Sequence, residues 1–209
     1  MTRARQIMAF VIIGVAQARA SCWAMTPQAR TDLQVFEIAI QACKQQQPRE
    51  SSVTVPPQII ALAGADNPAY FGGMALLYYC LHEPLRTVFK FAHQGAHRGD
   101  ALAEDLLGDV YSSGFPGLPA SHGKAMYWQQ RSAEQGFPLG EADVGIDFLK
   151  GLGVRPDPSM AATWLRKAAD AGVVSAMHTM GALYLRGVIL PPFSGHPPKR
   201  PGIARTAPG

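Results

Sequence analysis

The chain has 209 residues, of which 47% are hydrophobic and 16% are charged, so it is long enough to bury the core of an ordinary domain. Its formal net charge of +4 has the sign expected of a nucleic-acid-binding protein. Six of the nineteen basic residues, however, lie within residues 1–20 or 191–209, and no basic stripe interleaved with aromatic residues runs between these ends. The composition therefore argues against nucleic acid as a partner.

The first 20 residues have the pattern of a secretory signal peptide. Two arginines precede an apolar run over residues 7–15, and Ala18-Arg19-Ala20 fits the small-x-small rule for signal cleavage. The run is shorter than the roughly 20 apolar residues that a membrane-spanning helix needs. We therefore predict a signal peptide over residues 1–20, a periplasmic or secreted mature protein, and no membrane span after cleavage. Retention of the segment as an anchor is the alternative.

Residues 21–67 are predicted to form an N-terminal helical region that caps the rest of the fold. Thr26 followed by Pro27 is typical of a helix start, because the threonine side chain accepts a backbone hydrogen bond and proline fits the first turn. Apolar residues then recur along one stripe of the predicted helix. They are Leu33, Phe36, Ile40 and Cys43.

Three cysteines, Cys22, Cys43 and Cys80, follow the predicted signal peptide. In an oxidising compartment two of them would form a disulfide. The predicted helix carries Cys43 roughly 24 Å from Pro27 at about 1.5 Å per residue, whereas bridged Cα atoms lie within about 7 Å of each other, so Cys22 cannot easily reach Cys43. We predict a Cys43–Cys80 disulfide, with three free buried thiols as the alternative.

A repeat of 36 or 37 residues dominates the chain from residue 99 onward. Gly108, Gly145 and Gly181 are 37 and 36 residues apart, and each is followed three positions later by an aromatic residue. Trp128 and Trp164 are 36 residues apart, and each is followed three positions later by a basic residue and eight positions later by a glycine. Periods in this range indicate stacked structural repeats. The positions predicted to build the repeat are Gly108, Tyr111, Trp128, Gly136, Gly145, Phe148, Trp164, Gly172, Gly181 and Tyr184.

Each copy is predicted to be a helix-turn-helix hairpin. In the first helix, the repeated glycine and a small residue five positions earlier allow a neighbouring helix to approach closely, and the aromatic residue fills the space between helices. Gly114 and Gly151 are expected to end this helix, and Ser121 and Asp157 to cap the start of the second one. Because a single hairpin cannot bury its apolar faces alone, the copies must stack.

This pattern resembles the Sel1-like repeat, a relative of the tetratricopeptide repeat. The resemblance rests on LGDVYSSG (107–114), KAMYWQQRSAEQG (124–136), VGIDFLKGLG (144–153), AATWLRKAADAG (161–172) and MGALYLRG (180–187). It implies an all-α fold, a short α-α superhelix with repeats at 99–138 and 139–173 and a partial repeat at 174–190. Residues 68–98 form a degenerate earlier copy, in which KFAHQG (90–95) matches RSAEQG (131–136) and Gly95 stands at the expected helix end.

The third copy is interrupted by paired prolines, which cannot continue a helix interior. Residues 191–209 contain six prolines and no acidic residue, and we predict that they form a disordered tail. The last hairpin is therefore expected to lack its second helix and to expose apolar surface.

The sequence contains no strong signal for catalysis, a metal or a cofactor. His93 and His97 have the four-residue spacing of zinc ligands on a helix, but no glutamate accompanies them. Ser121 and Lys124 have the S-x-x-K spacing of some penicillin-binding enzymes, but the serine is better explained as a helix cap and the companion motifs are missing. We therefore predict that the protein is not an enzyme.

The resemblance implies that the first helices line a concave groove, and we predict that this groove binds a protein or peptide. The candidate contacts are polar residues on first helices that depart from the repeat pattern, although a solvated face would also explain them. They are Asp109, Asp143, Asp147, Lys150, Thr179 and Arg186. An exported scaffold or adaptor is the favoured function. The alternatives are a cell-wall or β-lactam hydrolase, as suggested for some relatives, and a regulatory or inhibitory subunit of an envelope enzyme.

Overall fold

The computed structural model describes residues 26–45, 54–64, 67–81 and 84–188. Within these ranges the regular structure is helical, as predicted, apart from one isolated antiparallel bridge between Phe115 and Leu118. No helix in the described ranges is long and apolar enough to cross a membrane. The predicted signal peptide, Cys22 and the proline-rich tail lie outside them. In chain order the helices are α1 (Pro27–Gln45), α2 (Pro57–Gly64), α3 (Ala69–Cys80), α4 (Leu85–Ala96), α5 (Ala101–Ser113), α6 (His122–Glu134), α7 (Pro138–Lys150), α8 (Pro158–Asp170) and α9 (Val174–Leu185).

Helix α1 begins where the sequence predicts and packs on α3 and α5. The Thr26 hydroxyl oxygen accepts a hydrogen bond from the backbone nitrogen of Ala29 at 3.1 Å, which caps the helix. Phe36 and Ile40 are buried, and Ile59 of α2 joins the same apolar core. The two N-terminal helices thus cover apolar surface of the helices that follow.

Three helix-turn-helix hairpins follow, formed by α3 with α4, α5 with α6 and α7 with α8, and α9 packs on α8. The predicted caps are confirmed. Ser121 accepts a hydrogen bond from the backbone nitrogen of Lys124 at 3.4 Å, and Asp157 accepts from two backbone nitrogens at 2.9 and 3.0 Å. Gly114 and Gly151 end α5 and α7 with φ angles of 67° and 69°, a conformation that favours glycine.

The repeated glycines allow the two helices of a hairpin to approach each other. A Cβ atom at Gly108 would lie 2.5 Å from Cγ of Gln129 in α6, and one at Gly145 would lie 2.6 Å from Cγ of Leu165 in α8. A Cβ atom at Gly181 of α9 would meet no described atom within 4 Å. The repeated glycine is therefore needed for close helix packing at positions 108 and 145, where the described chain continues into a second helix of the hairpin.

The two repeated tryptophans occupy matching settings, as the repeat predicts. The Arg131 guanidinium carbon lies 5.1 Å from the centre of the Trp128 ring, and the Lys167 ammonium nitrogen lies 4.0 Å from that of Trp164. In both second helices the basic residue follows the tryptophan by three positions, so its charge lies over the indole face. Both indoles are partly buried against the apolar core.

The degenerate copy forms the hairpin α3–α4, but its predicted end at Gly95 is wrong. Helix α4 continues to Ala96, and the residue with positive φ is Gly99, at 81°. A Cβ atom at Gly95 would lie 2.5 Å from Cβ of Ala103 and 2.9 Å from Cβ of Phe71. Glycine is therefore needed at position 95 for close helix packing rather than for a left-handed turn.

Cys43 of α1 and Cys80 of α3 are adjacent in the fold. Both are free thiols, and a hydrogen bond between the two side chains, together with burial, raises the pKa of the Cys43 thiol. The predicted partners thus lie next to each other, while the disulfide itself stays a prediction.

Candidate binding surface

The predicted groove residues fall into two groups in the structure. Asp109 of α5 and Asp143 of α7 both lie close enough to Asp105 of α5 for their charges to act on it, and Asp147, one turn after Asp143, is buried. Lys150 is exposed in the last turn of α7, and Arg186 is exposed just after α9. Thr179 of α9 is half-buried, and its hydroxyl donates a hydrogen bond to the Ser175 carbonyl oxygen of its own helix at 2.8 Å. The binding role of all six residues stays a prediction.

Asp105 is a further member of the first group that the sequence analysis missed. Its side chain is 5% exposed, and its Oδ1 atom has no hydrogen-bond partner among the described residues. Burial, followed by the negative charges of Asp143 and Asp109, holds the pKa of Asp105 well above its usual value. A signal was present in the sequence, because Asp105 and Asp109 are four residues apart and so share one face of α5.

Asp147 is held by Gln129, a buried residue of α6. With the amide assigned so that its nitrogen donates, Gln129 Nε2 lies 3.0 Å from Asp147 Oδ2 and 3.2 Å from the Ala125 carbonyl oxygen. The side chain reaches this position because Gly108 has no Cβ to obstruct it. The glycine of the repeat thus also allows a second helix to contribute a donor to the surface between α5 and α7.

We call this group of Asp105, Asp109, Asp143 and Asp147 the acidic seam. Two carboxylates come from each helix, one turn apart, and at least three of them lie close enough for their charges to interact. Among the described residues no three acidic, histidine or cysteine side chains are grouped in a way that could hold a metal ion. Ionised carboxylates accept hydrogen bonds and attract positively charged groups.

Comparison with known proteins identifies the hairpins that carry the acidic seam. The family model of the Sel1 repeat matches residues 101–137 and 138–173, which contain α5–α6 and α7–α8. The chain contains two Sel1 repeats. Two solved structures have similar folds: the Sel1 repeat protein of Oxalobacter formigenes (24% identity, 58% of this chain and 95% of that chain, TM-score 0.49) and cysteine rich protein B of Helicobacter pylori (18%, 60% and 97%, TM-score 0.46).

Two curated relatives match part of this chain over a small part of their own length. A segment of 84 residues, 40% of this chain, is 34% identical to chitin synthase regulatory factor 3 of Schizosaccharomyces pombe. A segment of 100 residues, 47% of this chain, is 29% identical to the ERAD-associated E3 ubiquitin-protein ligase component HRD3B of Arabidopsis thaliana. These segments span 9% and 15% of the two relatives.

Each Sel1 repeat also contains a buried glutamate that the sequence analysis did not single out. Glu104 Oε1 lies 2.8 Å from Arg131 Nη2, and Glu104 Oε2 accepts from Gln135 at 2.7 Å. Glu141, at the equivalent position, is attracted by Lys167. Burial nevertheless raises the pKa of each glutamate to about 7. The sequence does indicate this pairing. A glutamate stands four positions before both Gly108 and Gly145, and a basic residue stands three positions after each repeated tryptophan.

Two buried aspartates join the start of the first Sel1 repeat to α1 and α3. Asp100 accepts hydrogen bonds from the backbone nitrogens of Gly72 and Ala103 at 2.9 and 3.0 Å. Asp32 accepts from the backbone nitrogen of Ala101 at 2.9 Å, and its pKa is raised to about 6, chiefly by burial. Both carboxylates therefore fix helix ends, in contrast to the unpartnered oxygen of Asp105.

The residues considered for catalysis have structural roles in the first Sel1 repeat and just before it. Ser121 caps α6, and the Lys124 ammonium nitrogen lies 5.2 Å from the centre of the Tyr111 ring. The His93 and His97 rings are 4.1 Å apart, and His97 Nδ1 lies 2.8 Å from the His93 carbonyl oxygen. The histidines do share a face, as their spacing predicts.

Proposed function

We propose that this chain is a protein-interaction scaffold or adaptor, which holds a protein or peptide on the surface formed by its first helices. The observation that carries the proposal is the pair of adjacent Sel1 repeats, whose first helices bring the acidic side chains of Asp105, Asp109 and Asp143 close together. The names of the two relatives, a regulatory factor and a ligase component, also describe proteins that act through other proteins.

A pull-down with matched charge variants tests this function. The full chain serves as bait with crosslinking in an envelope fraction, next to Asp143→Lys, Lys150→Glu and the control Glu134→Lys. Glu134 is exposed and belongs to α6, a second helix. We expect a specific partner to be retained by Glu134→Lys and to be reduced at least tenfold by Asp143→Lys. Equal recovery with all variants would contradict binding through this surface.

A regulatory subunit of an enzyme is the second candidate, and the name of the fission-yeast relative favours it. A regulator would bind one enzyme tightly and change its activity, whereas an adaptor would bring two proteins together. Measuring the turnover of the captured partner with and without the chain distinguishes the two. A change in turnover that Asp143→Lys abolishes would support the regulatory function.

Export and the Cys43–Cys80 disulfide belong to the same proposal. We infer that the chain is exported, cleaved after residue 20 and oxidised, and the hydrogen bond between the thiols of Cys43 and Cys80 supports their pairing. The mass of the protein recovered from the periplasm or medium, before and after alkylation, measures both events. We expect Cys43→Ser to lower the free energy of unfolding by roughly 3 to 5 kcal/mol under oxidising conditions. An equal effect of the variant in the presence of reductant would contradict the disulfide.

A further inference from the structure

We propose that the acidic seam is a binding site for the guanidinium group of an arginine that a partner protein or peptide presents. The inference rests on the proposed function, because the arginine belongs to the segment that the scaffold holds. It names the chemistry that this surface recognises and the residues that recognise it.

Stacking of the repeats does not need carboxylates at most of these positions. In the next copy, Ala142, Ile146 and Leu183 stand at the positions of Asp105, Asp109 and Asp147, and Thr179 stands at that of Asp143. The three apolar residues belong to one apolar cluster that also contains side chains of α8. Three of the four positions can therefore hold apolar side chains, so packing alone does not explain the aspartates.

Asp105 is placed unfavourably within the acidic seam. Asp105 is 95% removed from solvent, its Oδ1 has no hydrogen-bond partner among the described residues, and like charges lie nearby on both helices. A buried polar atom without a partner costs roughly 1 to 3 kcal/mol. A cation between α5 and α7 would supply both the missing hydrogen bond and the opposite charge.

The carboxylates of the acidic seam come from two different helices, which favours an extended organic cation with several donors. Guanidinium is planar, stays protonated and carries five donors, so it can bond carboxylates on two helices at once. Lysine has a compact and strongly hydrated charge, which suits a partly buried seam less well. The hydrogen bond from Gln129 to Asp147 shows that a planar nitrogen donor is accommodated at one end of the acidic seam.

The experiment uses the full chain and three short capped peptides that differ only in a central arginine, lysine or citrulline. Fluorescence anisotropy at pH 8 measures binding of each labelled peptide. We expect the arginine peptide to bind at least tenfold more tightly than the citrulline peptide, which has nearly the same shape without the charge. Equal affinities for arginine and citrulline would overturn the proposal.

Variants assign the binding to the acidic seam. The double variant Asp105→Asn, Asp143→Asn is expected to lower the affinity for the arginine peptide at least tenfold. The control Glu134→Gln is expected to leave this affinity unchanged. Asp109 is half-exposed at the edge of the seam, and Asp109→Asn alone is expected to lower the affinity for the arginine peptide about threefold. This single variant replaces the double variant in the test if the double variant fails to fold. Unchanged binding in a folded seam variant would overturn the assignment.

The chain's own Lys199, Arg200 and Arg205 are the competing source of cations. Replacing all three by glutamine in the full chain is expected to leave the affinity for the arginine peptide unchanged. A tenfold gain would mean that the tail fills the acidic seam, which would overturn the assignment to a partner. If the chain does not bind the arginine peptide but still captures a partner, the proposed arginine site is wrong and the proposed scaffold function stands. If the chain binds the arginine peptide but captures no partner, the arginine site is supported and the scaffold function is wrong.

Discussion

Equivalent positions in two successive copies of the repeat have opposite chemistry. On α5 and α7 they hold aspartates, including the buried Asp105, whereas on α7 and α9 they hold Thr179 and three members of one apolar cluster, Ala142, Ile146 and Leu183. The apolar contact within this cluster stabilises the stack by removing hydrocarbon from water. The acidic seam brings like charges together and so weakens it. The repeat therefore fixes the spacing of the helices, and the residues at these positions are left to determine what the surface binds.

The largest expected effect comes from making the apolar contact acidic. Leu183→Asp places a charge at a site that is 9% exposed and surrounded by apolar side chains. We expect it to lower the free energy of unfolding by about 3 kcal/mol or more, measured by urea denaturation. Leu185→Asp is the matched control, because Leu185 is 91% exposed and its replacement should change stability by less than about 0.5 kcal/mol. If both variants lost a similar amount of stability, the burial of Leu183 in its apolar cluster would not be what stabilises the fold.

The glycines of the two copies give the next largest difference. Gly145→Ala places a Cβ atom 2.6 Å from Leu165 Cγ and 3.1 Å from the Leu165 backbone nitrogen, so we expect a loss of about 1 to 3 kcal/mol. Gly181→Ala meets no described atom within 4 Å, and the better helix propensity of alanine should stabilise it by up to about 1 kcal/mol. Thermal unfolding of both variants checks the prediction, and a large loss for Gly181→Ala would show that another segment covers α9.

The sequence predicted those features of the fold that depend on local chemistry. Ser121 and Asp157 are recognisable as caps, and Trp128 and Trp164 recur with a fixed period, because each acts within one helix or one hairpin. The end of α4 was mistaken because Gly95 looks like a helix stop, while its actual role depends on Phe71 and Ala103 of other helices. Local patterns do not reveal which helix will pack against a given glycine.

The acidic seam was only partly predictable for the same reason. Asp109, Asp143 and Asp147 were found because they depart from the repeat pattern, but Asp105 was overlooked although it is the most buried aspartate of the four that form the seam. Its environment depends on how α5 and α7 are placed side by side. The hydrogen bond from Gln129 to Asp147 depends in addition on a third helix, which no pattern within one helix can indicate.

Making the acidic seam apolar should have a smaller effect of opposite sign. Asp105→Ala introduces the residue that the next copy has at this position, and it removes a buried carboxylate whose charged form is disfavoured. We expect the free energy of unfolding to rise by about 1 to 2 kcal/mol at pH 8, measured by urea denaturation. Glu134→Ala, on the exposed face of α6, should stay within about 0.5 kcal/mol of the parent. A loss of stability in Asp105→Ala would mean that the carboxylate has a partner in solution that offsets its burial.

Stability should also depend on pH, because several buried carboxyl groups have raised pKa values. The pKa of Asp32 is raised to about 6, those of Glu104 and Glu141 to about 7, and that of Asp105 well above its usual value. Between pH 5 and pH 8 the folded protein therefore binds more protons than the unfolded chain, in which these groups have already ionised. Stability should fall as pH rises, because the contribution present at low pH is lost as each folded pKa is passed.

Scanning calorimetry in buffers of equal ionic strength measures this dependence and assigns part of it to the acidic seam. We expect Tm to fall by several degrees from pH 5 to pH 8 in the parent chain. Asp105→Asn, which cannot ionise at this position, should show a smaller fall, whereas Glu134→Gln should follow the parent. If Tm instead rose with pH, the carboxylates would be better stabilised as anions in the folded protein than their burial implies. If the Tm of Asp105→Asn fell with pH as steeply as that of the parent, the pH dependence would come from Asp32, Glu104 and Glu141. The charge of Asp105 would then already be neutralised in solution.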